Sequence, residues 1–107
     1  MKLLITGGTG FIGYHLAKKA LKKGWAVTSI STKKPKKKRF LKKVKYILCN
    51  LDNKKKLKKI LSSNYDHVVN LAGYVNHNDK KKTYNSHYLG CKNLVNELLN
   101  TNIISFI

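Results

Sequence analysis

The sequence predicts an α/β fold, a doubly wound parallel sheet with strand order 3-2-1-4-5, in a single domain over residues 1–107. Three observations predict it. First, an apolar segment leads directly into a glycine-rich turn at residues 6–13. Second, apolar segments alternate along the chain with amphipathic, lysine-rich segments. Third, the apolar segments show little alternation of apolar and polar residues. Strands buried on both faces are typical of parallel sheets, and right-handed crossovers between them give the predicted strand order.

The first half of the chain predicts a strand, a helix and a second strand. Residues 2–6 form a short apolar strand, and the β-branched run at residues 25–31 forms the next. Residues 10–23 are helical, with Gly24 as the stop. One face of this helix carries its apolar residues, which are Ile12, Leu16, Ala17, Ala20 and Leu21.

The second half continues the alternation. After a lysine-rich loop, with a helical turn expected around Phe40 and Leu41, strands are predicted at residues 44–50, 67–73 and 103–107. Asp52 is expected to cap a helix over residues 53–62, and a longer helix is predicted over residues 81–100. The inward residues of the two helices are Leu57, Ile60 and Leu61, then Tyr84, Tyr88, Cys91, Val95 and Leu98.

The glycine-rich turn, "TGGTGFIG", satisfies two spacings at once. Gly7, Gly10 and Gly13 read G-x-x-G-x-x-G, and Gly8 with the last two reads G-x-G-x-x-G. The first glycines allow a sharp exit from the strand, Gly10 lets a ligand approach the backbone, and Gly13 lets the helix lie close to the sheet. Free N–H groups in the first helical turn, near Phe11, would then face the pyrophosphate of a dinucleotide.

The net charge of +19 suggests a polyanionic partner, but the detailed composition disfavours nucleic acid. Arg39 is the only arginine, whereas lysine, asparagine, isoleucine and tyrosine, which have A/T-rich codons, are abundant. Codon bias explains this composition without a polyanion, and the basic run at residues 33–43 is interpreted as a solvated loop rather than a nuclear localisation signal.

The chain has no apolar stretch long enough for a membrane span and no signal-peptide core, which favours a cytoplasmic location. Its two cysteines, Cys49 and Cys91, form no C-x-x-C and have no histidine at metal-ligand spacing. We therefore expect reduced, packed thiols and no metal site.

With these features in place, the sequence resembles the extended short-chain dehydrogenase/reductase superfamily, specifically the NAD-dependent epimerase/dehydratase family. The resemblance is collinear over the whole chain and is carried by "ITGGTGFIGYHLAKKALKKGWAVTSIS", "CNLDN", "YDHVVNLAGY" and "YNSHYLGCKNLVNELL". It implies a Rossmann-type fold, a dinucleotide cofactor and, in the full-length enzyme, a nucleotide-sugar substrate and a homodimer as one assembly.

The resemblance also implies which residues would bind the cofactor. Those of the pyrophosphate loop are Gly7, Thr9, Gly10, Phe11, Ile12 and Gly13. Asn50 and Leu51 match the adenine-side pair, usually Asp-Leu, and Leu71, Ala72 and Gly73 match the loop beyond strand four. His87 stands where the family often has asparagine.

Ser31 falls at the end of strand two, where the family places an acidic residue on the adenosine ribose. No Asp or Glu lies between Met1 and Cys49, whereas Ser31 and Thr32 carry hydroxyls and Lys33 is followed by a second lysine. Hydroxyl donors and positive charge suit a 2′-phosphate, so NADP is favoured over NAD.

The family's catalytic residues, a Ser/Thr after strand five and a later Tyr-x-x-x-Lys pair, have no counterpart here, and no catalytic residue is predicted. The chain is interpreted as the N-terminal part of a longer enzyme, truncated after strand five and inactive alone. Two alternatives remain: a non-catalytic NAD(P)-binding module complete at this length, and a basic nucleic-acid-binding protein.

Overall fold

The computed structural model describes residues 1–71, 90–99 and 103–107, and it confirms the predicted fold class and strand order. Five parallel strands lie in the order β3-β2-β1-β4-β5. They are β1 (Lys2–Thr6), β2 (Ala26–Ser31), β3 (Lys45–Leu48), β4 (His67–Asn70) and β5 (Ser105–Phe106). The described helices are α1 (Phe11–Lys22), α2 (Lys54–Leu61) and α3 (Gly90–Leu98). The fold is therefore a Rossmann-type α/β sheet.

The strand β1 lies at the centre of the sheet and explains the continuous apolar run at the start of the chain. Its residue Leu3 pairs with Val27 of β2 on one side and with His67 of β4 on the other. Leu4 and Ile5 point to opposite faces and are both fully buried. A strand covered on both faces needs apolar residues at consecutive positions, which removes the alternation of a half-exposed strand.

Two cores sandwich the sheet. The core on one face joins α2 and α3 to the sheet, and it consists of Leu4, Ile30, Cys49, Leu51, Leu57, Ile60, Leu61, Tyr65, Val68, Leu94 and Leu98. The core on the other face involves α1, and it consists of Leu3, Ile5, Ala17, Ala20, Val27 and Val44.

The predicted inward face of α1 is wrong at Ile12, whose side chain is 67% exposed. Gly13 takes the buried position in the first turn, followed by Ala17 and Ala20. Because a glycine occupies that position, the helix axis can come close to the loop that precedes it. The predicted stop is confirmed, since Gly24 follows the helix with a φ of 81°.

The helical turn predicted around Phe40 and Leu41 lies earlier, as a short 3₁₀ turn at Lys37–Arg39. Phe40 is already extended and stacks on Tyr46 of β3, with ring centroids 5.6 Å apart. The Tyr46 hydroxyl also accepts a hydrogen bond from the Leu41 amide at 3.1 Å. Packing against the edge strand therefore ends the turn before Phe40.

The predicted cap of α2 is off by one residue. The Asn53 side chain, not Asp52, accepts the hydrogen bond from the Lys56 amide, at 3.2 Å. The Asp52 amide instead donates to the Asn50 side chain at 3.1 Å. This turn around Asn50 places Asp52 before the first helical residue and leaves Asn53 at the cap.

The predicted stripe along the last helix is partly wrong. Leu94 and Leu98 are its buried leucines, whereas Cys91 and Val95 are half-buried. Leu94 belongs to the core that also contains Leu57 of α2, so packing against α2 determines which face of α3 is buried. Residues 81–89, with Tyr84 and Tyr88, lie outside the described residues.

Candidate functional site

The carboxyl ends of four strands are tied together at one edge of the sheet. The Gly7 amide donates to Ile30 O at 2.8 Å, the Cys49 amide to Ser31 O at 2.9 Å, and the Leu71 amide to Thr6 O at 2.9 Å. These bonds bring the glycine loop and the ends of β2, β3 and β4 to the same edge. Ligands of open α/β sheets bind at this edge, beside the strand where the order of connection reverses.

Two glycines of the loop are required by packing. A Cβ on Gly8 would lie 2.2 Å from the Ser29 Oγ, and a Cβ on Gly13 would lie 2.5 Å from the Gly8 Cα. Gly7 has a φ of 75°, a conformation that favours glycine. The predicted role of Gly13 is thus sharpened, because the close approach it permits is to the backbone of Gly8.

Gly10 differs from these glycines because no side chain among the described residues fills the space beside it. Its backbone is extended, with φ −80° and ψ −179°, so any residue could adopt it. A Cβ there would find only Gly7 O within 4 Å, at 3.8 Å. The absence of a side chain therefore leaves open space above the loop, which suits close approach by a ligand.

The N-terminus of α1 begins at this open space. No side chain of the described ranges caps it, and its first turn carries no acidic residue. The first amides of a helix have no partner within the helix, so they are donors of the kind that binds an anion. Gly10 and these amides fit the pyrophosphate of a dinucleotide.

Exposed rings and a cation surround the start of α1. The side chains of Phe11 and Ile12 are 63% and 67% exposed. The Phe11 ring lies 4.6 Å from the His15 ring and 5.9 Å from the Arg39 guanidinium carbon. Thr9 is half-buried in the loop. The only arginine in the chain therefore lies beside the ring of the first residue of α1, and it adds positive charge near the start of the helix.

The end of β2 presents Ser31 in a specific hydrogen-bonding state. The Ser31 hydroxyl donates to Lys33 O at 2.7 Å, so its hydrogen is already used within the turn. Ser31 therefore offers lone pairs, rather than its hydrogen, to a ligand in this arrangement. Thr32 and Lys33 are exposed beside it.

The end of β3 contains residues that were predicted to lie near the adenine. Asn50 is exposed, with its side-chain oxygen bonded to the Asp52 amide, and the Leu51 side chain is buried in the core. The Leu51 carbonyl accepts a hydrogen bond from the Asn93 side chain at 3.0 Å. Sequence reasoning missed Asn93 because its partner lies 42 residues away and no local pattern marks the contact.

Cys49 lies directly below this turn and is buried. Burial raises the pKa of its thiol above the ordinary value, and the positive charge of Lys56 opposes that shift. The Cys49 Sγ donates to Asn50 O at 3.3 Å. A protonated, packed thiol fits the structural role predicted from the sequence.

The end of β4 completes the described part of the site. A hydrogen bond from the Thr6 hydroxyl to the Asn70 side chain joins β4 to β1, and Leu71 follows with its side chain 36% exposed. Ala72, Gly73 and His87 lie outside the described residues. Across the residues that the structure describes, no cluster of His, Cys, Asp or Glu could hold a metal ion. No helix of this described portion is long and apolar enough to cross a membrane.

Comparisons with known proteins agree with this fold. A model of the NAD dependent epimerase/dehydratase family matches residues 3–107. No curated protein matches the sequence. A UDP-glucose 4-epimerase from Thermotoga maritima, solved with UDP-glucose, superposes with a TM-score of 0.91 at 20% identity, over 99% of this chain and 36% of that one.

Two further solved structures are similar. A UDP-glucose 4-epimerase of Thermus thermophilus, in complex with NAD, has a TM-score of 0.81 and 25% identity, over 92% of this chain and 33% of that chain. Pal from Bacillus thuringiensis has a TM-score of 0.85 and 26% identity, over 96% and 37%. The chain thus spans about a third of the length of these structures.

Proposed function

Because the chain belongs to the NAD-dependent epimerase/dehydratase family, we propose that it is the dinucleotide-binding portion of an NAD(P)-dependent enzyme acting on nucleotide sugars. The observation that carries the proposal is the open space at Gly10 beside the uncapped start of α1. The similar epimerase structures solved with NAD and with UDP-glucose support the cofactor and the substrate class.

Each part of the edge has a role in this proposal. The amides at the start of α1 hold the pyrophosphate, and Gly10 leaves room for it. Ser31 accepts a hydrogen bond from the adenosine ribose, and Leu71 borders the cofactor beyond β4. The bound dinucleotide supplies reversible hydride transfer, for which these residues provide position and charge.

The experiment is a titration of the chain with NAD and NADP, repeated with Gly10→Val. The valine would occupy the space reserved for the pyrophosphate, and we expect at least about tenfold weaker binding. Because the Gly10 backbone is extended, the variant should keep its circular dichroism spectrum. Lys22→Val, at the far end of α1, is the matched control and should bind normally. Equal affinity of wild type and Gly10→Val would contradict the proposal.

We further propose that NADP is preferred over NAD. Support comes from the lysines that follow β2 and from the absence of an acidic residue there. Since the Ser31 hydroxyl donates to Lys33 O, positive charge rather than that hydroxyl carries the preference. A charge-assisted contact to the 2′-phosphate is worth about 1.5–3 kcal/mol, or about tenfold to a hundredfold in affinity.

The test compares dissociation constants of both cofactors at one moderate salt concentration. We expect the wild type to prefer NADP and Ser31→Asp to shift toward NAD, because a carboxylate accepts ribose hydroxyls and repels a phosphate. Lys33→Ala should weaken NADP binding and leave NAD binding unchanged. A wild type that binds NAD as well as NADP would refute the preference.

The catalytic part of the enzyme is proposed to lie in further polypeptide, so the 107-residue chain alone should turn over no nucleotide sugar. The support is that the chain spans about a third of the similar structures and has no Tyr-x-x-x-Lys pair beyond strand five, where the family has it. Steady hydride transfer by the pure chain would refute this. A complete cofactor-binding module is the alternative, and an open reading frame continuing past codon 107 into a Tyr-x-x-x-Lys pair would exclude it.

The proposed enzyme is cytoplasmic and has no nucleic-acid partner. The second candidate function, nucleic-acid binding, draws its support from the charge of +19. Binding to DNA that is strongly salt-dependent, and far tighter than binding to either cofactor, would favour that candidate over a dinucleotide site.

A further inference from the structure

Ser29 is the one buried polar side chain among the described residues that lacks a hydrogen bond. It lies in β2, pairs with Ile5 of the central strand and is 1% exposed. Its Oγ atom has no partner, whereas the other buried polar side chain of this described portion, Thr6, bonds to Asn70. An unpaired buried hydroxyl lowers stability, so its presence inside the sheet calls for a reason other than stability.

The Ser29 side chain lies against the glycine loop. Residues two apart in a strand share a face, so Ser29 lies on the same face as Val27, which belongs to the core beside α1. A Cβ on Gly8 would fall 2.2 Å from the Ser29 Oγ and 2.9 Å from the Ser29 Cβ. Because a Cβ is one bond away from its Cα, the Ser29 side chain packs directly on the Gly8 backbone.

The same glycine is also in contact with α1. A Cβ on Gly13 would lie 2.5 Å from the Gly8 Cα and 2.9 Å from the Gly8 carbonyl oxygen. Gly8 therefore links the side chain of Ser29 in β2 to the first turn of α1. Within the loop, the hydrogen bond from the Gly10 amide to Gly7 O is long, at 3.4 Å, and therefore weak. The packing of Gly8 is thus what fixes the height of the loop above the sheet.

The bulk of Ser29 is what excludes a side chain at position 8. Gly8 does not have a positive φ, so its backbone conformation is open to alanine. Rotation about χ1 of Ser29 would move its Oγ away from an added methyl group, but it would not move its Cβ. The remaining contact, with the Ile5 Cγ2 at 3.3 Å, needs a shift of only a few tenths of an ångström.

We propose that Ser29 is a positioning residue for the cofactor site and that it acts by its bulk rather than by a hydrogen bond. Its side chain supports Gly8, Gly8 packs on the first turn of α1, and the amides of that turn hold the pyrophosphate. Ser29 does not touch the cofactor, because it is buried beneath the loop. The inference rests on the proposed function, in which the start of α1 binds a dinucleotide.

The first test removes the supporting atom. Ser29→Ala deletes the Oγ, and the displaced loop should bind NAD and NADP about three- to tenfold more weakly. Because the deleted hydroxyl is unpaired, the same variant should unfold at a urea concentration equal to or higher than that of the wild type. Unchanged affinity in Ser29→Ala, or a loss of affinity accompanied by a lower urea midpoint, would overturn the proposal.

Val27→Ala is the matched control for this variant. It truncates a side chain on the same face of β2, in the core beside α1. A cavity there should lower the urea midpoint and leave the cofactor affinity of the folded protein unchanged. The two variants therefore have opposite expected effects on stability and on binding, which a purely structural role of Ser29 would not produce.

The second test moves the supporting bulk from the strand to the loop. Gly8→Ala alone should lower the affinity at least about tenfold, because its methyl group meets Ser29. Adding Ser29→Gly removes both close atoms and leaves the alanine methyl near the place of the lost Oγ. This double variant should recover affinity to within about threefold of the wild type, whereas Gly8→Ala with Val27→Ala should not recover. A Gly8→Ala, Ser29→Gly protein that binds no better than Gly8→Ala would refute the positioning role.

Titration of Gly10→Val in parallel separates this inference from the proposed function. Binding that is lost in Gly10→Val but is the same in wild type, Ser29→Ala and the double variant's Gly8→Ala parent would refute the role of Ser29 and leave the cofactor site in place. A wild type that binds neither cofactor, or binds independently of Gly10, would refute the proposed function and the role of Ser29 within it.

Discussion

Two loops lie at the same edge of the sheet, and they differ in whether a side chain caps the helix that follows them. In the β3–α2 loop, the Asn53 side chain caps α2 by accepting from the Lys56 amide, and the Asn50 side chain accepts from the Asp52 amide within the loop. In the β1–α1 loop, Gly10 has no side chain, and no other side chain in the described part of the chain caps α1. The first loop supplies a side-chain acceptor to the helix that follows it, whereas the second supplies none among the described residues.

This difference indicates which of the two loops can bind a ligand through its amides. An amide that donates within the protein has nothing left for a ligand, whereas an uncapped helix start carries unpaired donors and the positive end of the helix dipole. Both loops precede amphipathic helices and both follow parallel strands of the sheet. Only their hydrogen bonding separates a structural loop from a candidate anion site.

The largest expected effect is on the contact between Gly13 and Gly8, which holds the β1–α1 loop in place. Gly13→Ala puts a methyl group 2.5 Å from the Gly8 Cα, where backbone must move, and should lower the free energy of unfolding by about 3 kcal/mol. Gly10→Ala adds the same methyl to open space and should change stability by less than about 0.5 kcal/mol. Urea denaturation measures both. Similar losses in the two variants would contradict the division of roles between these glycines.

The next largest effect is expected when the β1–α1 loop is given a side-chain cap like that of the β3–α2 loop. Gly10→Asp supplies α1 with a side-chain cap at a position whose extended backbone suits one, and should raise the free energy of unfolding by about 0.5 kcal/mol. The same carboxylate repels a phosphate and occupies the amides, so NAD affinity should fall at least about tenfold. Thermal unfolding and titration give the two values. A stabilised variant that still binds NAD normally would show that the amides are not the binding site.

The converse variant removes the side-chain cap from the β3–α2 loop. Asn53→Ala removes the bond to the Lys56 amide and should cost about 1 kcal/mol of stability. Because these amides belong to the structural loop, NAD affinity should not change. Asn53→Asp keeps an acceptor at the cap and serves as the control. Weaker NAD binding by fully folded Asn53→Ala would show that the first amides of α2 take part in the site.

The smallest effect concerns Cys49 beneath the closed loop. Its burial and raised pKa should make it react with iodoacetamide at least about tenfold more slowly than the half-buried Cys91. Asn53→Ala should narrow this difference by loosening the loop. Because the folded thiol ionises at higher pH than the unfolded one, its contribution to stability persists below the ordinary thiol pKa. That contribution is lost as the pH rises through the raised value. Mass spectrometry of the alkylated peptides measures both rates, and equal rates would contradict the closed arrangement.

The sheet could be predicted from the sequence because its signals are local. The apolar run of β1 and the glycines after it indicate a buried strand and a tight exit, and together with the later runs they predict the strand order. The errors came where tertiary contacts decide. Packing on Tyr46 ends the 3₁₀ turn early, and packing on α2 directs Leu94 inward.

The sequence predicted which residues of the candidate site lie at the same edge of the sheet. It did not predict what each of their groups contacts there. The glycine spacing does not reveal that Gly8 and Gly13 touch each other while Gly10 faces open space. Likewise, a serine at position 31 predicts a hydroxyl, but only the folded turn shows that its hydrogen goes to Lys33 O. Such roles depend on short distances between groups that the sequence pattern does not encode.

The central position of β1 has a consequence for how the chain folds during synthesis. During synthesis β1 can pair with β2 early, since only α1 separates them. Its other edge must wait for β4, and the Thr6–Asn70 bond that joins them closes a separation of 64 residues. Until then the nascent β1–α1–β2 unit exposes an unpaired strand edge, so slow non-local pairing and premature aggregation compete at that edge.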